Sequence, residues 1–441
     1  MVTETGPVTD LERVGAGSPT PAARAKSVVE WIARRPRRAF LVLFLLAFGA
    51  GLANLPFVRR AAIAPHVSRE TEAIAAALAT RGAFADPYAL PTGPTAHMPP
   101  VTPALLALIY RLFGFTMTAG YVFWLLRVGA TATMLAMLPW LGRRLGVGAE
   151  PGVVAGVVGS LTLRWPYQIE YFAGIAMALL VAWHLRGWTR GAPRTAGALL
   201  LGLAWGAAFH LLPSLLPVML GCLAFGLWWD GRKSSWRAAA AVLLGAAVAC
   251  VPWGLRNYRM FGEVFLVRSN FGLELRLANR EGAVADVEPM VRAEGDQIPH
   301  PRINLEQARL MQRIGEMEYM RRARREAFVW IRAHPGRFLL LTARRTFHFW
   351  FGAPSDWWMA AGASVLTILA ALGLRRAWPV LDPPRRAALL VPLASFPVVY
   401  YVVVFMPRYS APLTWLLLLL AAVELWHWAG GRLPRPGPAV G

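Results

Sequence analysis

A chain of 441 residues that is 56% hydrophobic, with 19 Trp, 21 Phe and a formal net charge of +22, is not an ordinary soluble domain. Its apolar residues fall in runs nearly free of charge, such as Ala39–Leu55, Ala238–Trp253 and Leu413–Val423, and about 20 such residues cross a hydrocarbon core. Strand-length alternation is absent, which excludes a β-barrel, and no soluble basic domain is present to carry a nucleic-acid footprint, so no nucleic acid is expected as a partner.

The expected fold class is therefore all-α, a polytopic helical membrane protein, because helices satisfy their own backbone in lipid. Its positive charge is almost all arginine; only Lys26 and Lys233 are lysines. Such a surplus reflects either a compositional bias towards Arg and Ala or recognition of phosphate, which the planar guanidinium suits. Cys222 and Cys250 lie inside apolar runs and read as small buried hydrophobes without a disulfide.

Along the chain, residues 1–37 form a polar tail rich in Gly, Pro and Ala, expected to be disordered and cytoplasmic, with room for a short helix near Val28–Arg34. The tail is too long before the first apolar run for an ordinary signal peptide. Arg34, Arg35, Arg37 and Arg38 precede the first span and keep the N-terminus inside. A transmembrane module follows over 38–255, with its first outer loop at 57–101. Basic clusters at Arg143–Arg144, Arg186–Arg194, Arg232–Arg237 and Arg375–Arg386 mark the inner side in alternation. The count closes at about ten transmembrane helices with both ends cytoplasmic, the last over 357–430 before a short tail at 431–441. Residues 256–356 form a large outer region; segments beyond ~60 residues translocate largely regardless of charge, so its many arginines do not break the alternation.

In the first outer loop the spacing predicts a helix from Ser68, as N-cap, to Gly82, as stop. Glu70, Ile74 and Leu78 share its packed stripe, whereas Glu72 lies about 200° round on another face. Desolvation of Glu70 would suit general-base work; the plain alternative is an acid that complements the helix dipole. The proline-dense stretch Pro91–Pro103 then forms a rigid loop at the membrane face with His97 as its polar point. In the large region, Asn304 begins a helical stretch to about Ala333, interrupted near Gly315. There Glu318–Arg322 and Arg322–Glu326 are spaced as i,i+4 pairs, and Arg321, Arg322, Arg324 and Arg325 form a basic patch suited to lipid headgroups or to solvent. His184 and Glu170 lie near span ends and read as interface anchors.

Arg256, Arg268, Arg345 and Arg408 sit near outer span ends, at the depth of a lipid-linked phosphate. There charge-assisted bonds are strong and fixed cations stabilise a leaving phosphate. No two-His or His-x-x-Glu cluster appears, so the sequence demands no cofactor and leaves a divalent metal open.

Several motifs carry a family resemblance. Glu70-x-x-x-Ile-Ala-x-x-Leu, Gly-x-Phe at Gly82–Phe84, Pro91-Thr-Gly-Pro-Thr-Ala-His-x-Pro-Pro and Leu108-Ile-Tyr-Arg-Leu-Phe-Gly form one group. Pro252-Trp-x-x-Arg-Asn-Tyr-x-x-Phe-Gly, His334-Pro-Gly-Arg-Phe and Arg408-Tyr-Ser-Ala-Pro form another. Together they resemble the GT-C superfamily of membrane glycosyltransferases, in particular bacterial relatives of protein O-mannosyltransferases and aminoarabinose transferases. The resemblance implies a bacterial inner-membrane enzyme with two outer loops carrying short helices. It would move a sugar, with inversion, from a polyprenyl-phosphate donor to a glycan, lipid or protein acceptor on the non-cytoplasmic face.

In that family an acidic residue early in the first outer loop, usually Asp, activates the acceptor or binds metal. Here the loop's one Asp is Asp86, after the helix, so the role passes to Glu70, with Glu72 or Asp86 next and His97 assisting. Arg256 and Arg408, then Arg268 and Arg345, are expected to hold the donor phosphate. A transporter or flippase of lipid-linked sugars, or an inactive relative, are the other readings; the inverted repeats that mark many transporters are not evident.

Overall fold

The computed structural model describes residues 21–58, 63–64, 69–163, 169–191, 194–231 and 233–434. Among the described residues the fold is all-helical, with two isolated β-bridges, Ala85 to Pro94 and Asp286 to Phe405. In chain order the helices are α1 (Pro21–Ala33), α2 (Pro36–Ala53), α3 (Glu70–Arg81), α4 (Val101–Phe113), α5 (Met117–Ala136), α6 (Leu138–Arg144) and α7 (Ala149–Thr162). Then come α8 (Glu170–Arg190), α9 (Thr195–Phe209), α10 (Leu216–Asp230), α11 (Lys233–Phe261), α12 (Phe271–Ala278) and α13 (Val287–Glu294). The chain closes with α14 (Leu305–Ile314), α15 (Glu316–Ala333), α16 (Pro335–Phe351), α17 (Trp357–Ala377), α18 (Pro383–Ser395) and α19 (Thr414–Trp428). Among the described residues, six helical segments are long and apolar enough to cross a membrane: 36–57, 117–144, 213–230, 233–261, 357–380 and 407–428.

Starts and stops follow local chemistry. Thr116, Asn304, Asp356 and Asp382 each accept a backbone N–H of the first turn that follows, which satisfies one orphan donor. Gly315 breaks α14 from α15 where the sequence placed the interruption. Two boundaries differ from expectation. The tail is helical from Pro21, because Ile32 and Ala33 are buried against Ala39, Ala149 and Val153; residues 1–20 lie outside the described residues. Helix α11 continues to Phe261, so Arg256 is a helix residue and not the start of the large region's loop.

The bundle is organised on α19, whose residues from Thr414 to Glu424 are all buried. Lipid gives helices no hydrophobic reason to associate, so close backbone approach through small residues carries the packing. Gly373 of α17 shows this: a Cβ there would lie 1.8 Å from the carbonyl oxygen of Leu420. Gly373→Val is expected to force α17 off α19 and destabilise the bundle by about 1–3 kcal/mol or more, read as a lowered melting temperature in detergent. Beside it, Glu424 accepts two hydrogen bonds from Arg376, at 2.6 and 2.9 Å. Cys222 and Cys250 are free and buried, as their runs implied.

A second, smaller core stands apart from the bundle. Leu273, Leu277, Met290, Ile298, Met311, Tyr319 and Met320 of the large region pack with Tyr88 of the first loop and Val404. Gly272 allows α12 to touch α15, since a Cβ would come 2.1 Å from the Met320 carbonyl oxygen. The first loop and the large region therefore form one folded unit, and it positions the site.

Candidate active site

Glu70 is the first residue of α3, preceded by Arg69 in extended conformation. Arg69 occupies the N-cap without a side-chain cap bond; Ser68, the expected cap, lies outside the described residues. Ala73, Ile74, Ala75 and Ala77 are buried, and Gly82 ends the helix at φ 68°, in the left-handed region. The Glu70 carboxylate so stands at the positive end of the helix dipole.

The proline-dense loop is held as a rigid shelf by bonds from the large region. Arg256 donates to the carbonyls of Thr95 (2.7 Å) and Phe84 (3.0 Å). Ser269 N–H donates to the Ala96 carbonyl at 3.0 Å and Ala89 N–H to the Pro301 carbonyl at 3.2 Å. The buried carboxylate of Glu316, at the start of α15, accepts from Thr95 Oγ1 (2.5 Å), Ala96 N (2.9 Å) and Ser269 Oγ (2.6 Å). These bonds fix the backbone immediately before His97.

His97 is 1% exposed, and its Nε2 lies 3.4 Å from Glu70 Oε1. From the other side, His300 Nε2 lies 3.2 Å from the same oxygen. The three ligand atoms are all within 4.8 Å of one another, so one carboxylate oxygen is held between two imidazoles. Tyr88 O–H and His97 Nδ1 are 3.0 Å apart.

Hydrogen bonding at the far nitrogens assigns the protons. Arg302 N–H donates to His300 Nδ1 at 3.1 Å; that nitrogen must offer its lone pair, so a neutral His300 carries its proton on Nε2, facing Glu70. Tyr88 can either donate to or accept from His97, so the His97 proton is free to sit on either nitrogen. Burial of Glu70 opposes its ionisation, but His97, His300 and Arg302 outweigh it and hold the carboxyl below its ordinary range. Burial also holds His300 below its ordinary 6.5, against the charges of Glu70 and Glu274. Burial, with Glu316 and Glu70 nearby, keeps Tyr88 a phenol.

Both depressed groups make the folded unit acid-sensitive. A base whose folded pKa is depressed stabilises the fold above its unfolded pKa, and so does a depressed carboxyl. Stability is therefore expected to be full above pH ~6.5 and to fall first as His300 must be neutral against a protonating unfolded state. It falls further as pH drops through ~4.3, where unfolded carboxylates bind protons. Melting temperature against pH, compared between the wild-type chain and His300→Gln, checks this: the variant should lose the slope just below pH 6.5.

The donor set suits a divalent cation: two imidazoles and a carboxylate are a common zinc set with room for one more ligand. His97 fits it fully, because its proton can move to Nδ1 and be accepted by Tyr88, the outer-sphere partner such ligands use. His300 fits only by giving up the Arg302 amide bond. Glu70 and His97 are thus the stronger pair.

The expected arginines divide into two sets. Arg345 is fully buried and donates to Asn279 Oδ1 (3.2 Å) and to the Ala278 carbonyl; burial pushes it down to about 10. Arg256 is engaged on the shelf and flanked by the rings of Phe84, Trp253 and Phe261. Arg268 donates Nε–H to the His97 carbonyl at 3.0 Å. Arg408 is half exposed, 3.8 Å from Glu170, and lies in the field of Glu170, Glu70 and Glu274. Arg268, like Arg256, is half-buried and braces a loop carbonyl, whereas Arg408 is exposed and lies in the field of Glu70.

The acids that were alternatives to Glu70 point elsewhere. Glu72 pairs with Arg69 at 3.5 Å. Asp86, at φ 58°, is tied to Arg81 (2.5 Å) and to the Gly93 N–H (2.8 Å). In α15, Glu318 pairs with Arg321 (2.9 Å) and Arg325 (2.7 Å) and not with Arg322. Arg322 is drawn to Glu326, which also holds Arg276. His184 is not an interface anchor but a buried group that accepts from Trp205 Nε1 at 3.0 Å.

Sequence reasoning missed His300, Tyr88, Arg302 and Glu316. His300 had a usable signal: it stands between Pro299 and Pro301 in a rigid loop, the same context that singled out His97. No family model, no curated protein and no solved structure matches the chain.

Proposed function

We propose that this protein is a membrane glycosyltransferase of GT-C type that moves a sugar from a polyprenyl-phosphate donor to an acceptor at the non-cytoplasmic face of a bacterial inner membrane. The observation that carries the reading is the ionised Glu70 carboxylate, gripped by His97 and His300, with Arg268 bonded to the His97 carbonyl and Arg408 in the field of Glu70. The lowered pKa of Glu70 is opposite to the rise that strong base work prefers. The carboxylate therefore orients and accepts from an acceptor hydroxyl or holds a cation, while Arg268 and Arg408 supply the positive charge a leaving phosphate needs. In the proposed step an acceptor hydroxyl oxygen attacks the anomeric carbon and its proton passes to Glu70. The bond from that carbon to the phosphate oxygen breaks, with inversion, and Arg268 and Arg408 neutralise the departing polyprenyl phosphate. A divalent cation, if held by Glu70 and His97, would supply Lewis-acid polarisation of the acceptor oxygen or of the phosphate.

The topology that supports this orientation adds α7, α8, α9 and α18 to the six long apolar segments, giving about ten spans with both ends in the cytoplasm. The α3 loop and the large region then share the outer side. A transporter of lipid-linked sugars would need the chamber to open to both faces; nothing in the helix arrangement favours it.

The test is reconstituted protein given radiolabelled polyprenyl-phosphate sugars with candidate glycan, lipid and protein acceptors, with and without a chelator. Label is expected to leave the donor lipid, and Arg408→Gln to raise the KM for donor by roughly tenfold or more, the loss of a charge-assisted bond. If label leaves no donor under any condition, the reading fails.

A further inference from the structure

Helix α16 carries a face that neither the Glu70 site nor the core of the bundle uses. Leu339, Leu340, Ala343 and Phe347 fall on one stripe of it, spaced i, i+1, i+4 and i+8. Leu339, Leu340 and Phe347 are 64%, 43% and 55% exposed, and Ala343 is exposed too. Leu341, Arg345 and Phe349, spaced i, i+4 and i+8, form the opposite stripe, which is buried. An apolar strip running over two turns marks a surface that something covers. The helix is not itself a span. It has 17 residues and carries Arg337, Arg344 and Arg345 with no acid, over a length of about 25 Å.

Bonds to α17 bring this face to the membrane. Ser364 Oγ–H donates to the Phe351 carbonyl at 3.1 Å, and Thr367 Oγ1–H donates to the Trp350 carbonyl. The segment 357–380 that holds α17 is long and apolar enough to cross a bilayer. Its first residues, Trp357 and Trp358, are stacked and 63% and 70% exposed, which is how tryptophans sit at a headgroup boundary. Ser364 and Thr367 lie about 10 and 15 Å along the axis from Trp357. The end of α16 is therefore tied to α17 below that boundary, while its start joins α15 of the large region. Arg344 stands about 10 Å up the helix from Phe351, which returns it to the level of the tryptophans and leaves Phe347 at acyl-chain depth.

Charge then selects the lipid. Arg337 and Arg344, seven residues apart, stand on one edge of the stripe, and both are exposed. Arg337 donates to the Ala283 carbonyl at 3.4 Å, and neither is in an ion pair among the described residues. We infer that α16 is an interfacial membrane helix whose apolar stripe lies among acyl chains while Arg337 and Arg344 hold the phosphates of anionic phospholipids. The leaflet is the one at the Trp357 end of α17. A second copy of the chain fits this face poorly, since twofold pairing would set arginine against arginine. The inference rests on α17 crossing the bilayer and on nothing in the sugar-transfer reading.

Fluorescence quenching in vesicles tests this on the full chain. A bimane is attached to Leu340→Cys, to Phe347→Cys or, as the reference on the water side, to Glu306→Cys, whose position in α14 is exposed. Cys222 and Cys250 are buried, and the wild-type chain taken through the same labelling is the blank. Each labelled chain is reconstituted in equal amounts of phosphatidylglycerol and phosphatidylcholine, with bromines on the acyl chains of one lipid or the other. The labels at 340 and 347 should be quenched and the label at 306 should not. At 340, phosphatidylglycerol should be preferred over phosphatidylcholine by roughly fivefold or more, and Arg344→Gln should lower that preference by about threefold. All these substitutions lie at exposed positions, so none removes a core contact. Labels at 340 and 347 that neither lipid quenches would overturn the inference and leave the face to another chain or to water. Equal quenching by the two lipids, or a preference unchanged when Arg337→Gln and Arg344→Gln are combined, would overturn the role of the arginines.

Discussion

Glu70→Gln is expected to reduce sugar transfer by about 10²–10⁴-fold, the range that a positioned general base contributes, with little change in the amount of folded protein. Glutamine is nearly isosteric and can still accept from His300 Nε2–H. The variant loses the charge, not the contacts. The ionised carboxylate, with His97 Nε2 beside it, is the group placed to accept from an acceptor hydroxyl. His300 is neutral with its proton already facing Glu70, and Tyr88 remains a phenol. Glu72→Gln makes the contrast: its carboxylate pairs with Arg69 on another face of the helix, and transfer should stay within about threefold of wild type, the scale of a surface pair. A large loss in both variants would point to damage to α3 itself.

Glu316→Leu is expected to be the most damaging single change in the unit formed by the first loop and the large region. Three donors, Thr95 Oγ1–H, Ala96 N–H and Ser269 Oγ–H, end on that one buried carboxylate. Each buried donor left unpaired costs about 1–3 kcal/mol, so the shelf should detach before the membrane bundle melts. The expected signs are proteolytic cleavage within residues 84–100 and loss of transfer. Glu316→Gln should fall between, since its amide oxygen can still accept while its NH2 meets donors. Ser269→Ala alone should be mild, and in the Glu316→Leu background it should add almost nothing, because the pair shares one bond. Additive losses would show that Glu316 does not act through this network.

How much of this was readable beforehand follows from the range of each interaction. The helical class, the Gly82 stop, the break at Gly315 and the buried cysteines are local or compositional, and the sequence carried them. Glu70 and His97 were readable because both lie in one loop, with a packed helix face on one side and prolines on the other. The flanking prolines marked His300 as they marked His97, but its pairing with Glu70 and the role of Glu316 were not readable: both stand more than 200 residues further on, and the roles exist only once the large region folds against the first loop. The arginines show the same limit. Position near a span end did not separate Arg256, Arg268, Arg345 and Arg408, and only the fold shows that the first three brace backbone carbonyls while Arg408 lies beside Glu170.

Single-turnover transfer on proteoliposomes, following both labelled sugar and free polyprenyl phosphate, tests the central claim most directly. The wild-type chain is expected to move sugar from a polyprenyl-phosphate donor with one polyprenyl phosphate released per sugar transferred, and Glu70→Gln to abolish both together. Transfer that proceeds undiminished in Glu70→Gln, or a wild-type chain that releases no polyprenyl phosphate from any donor, would contradict it.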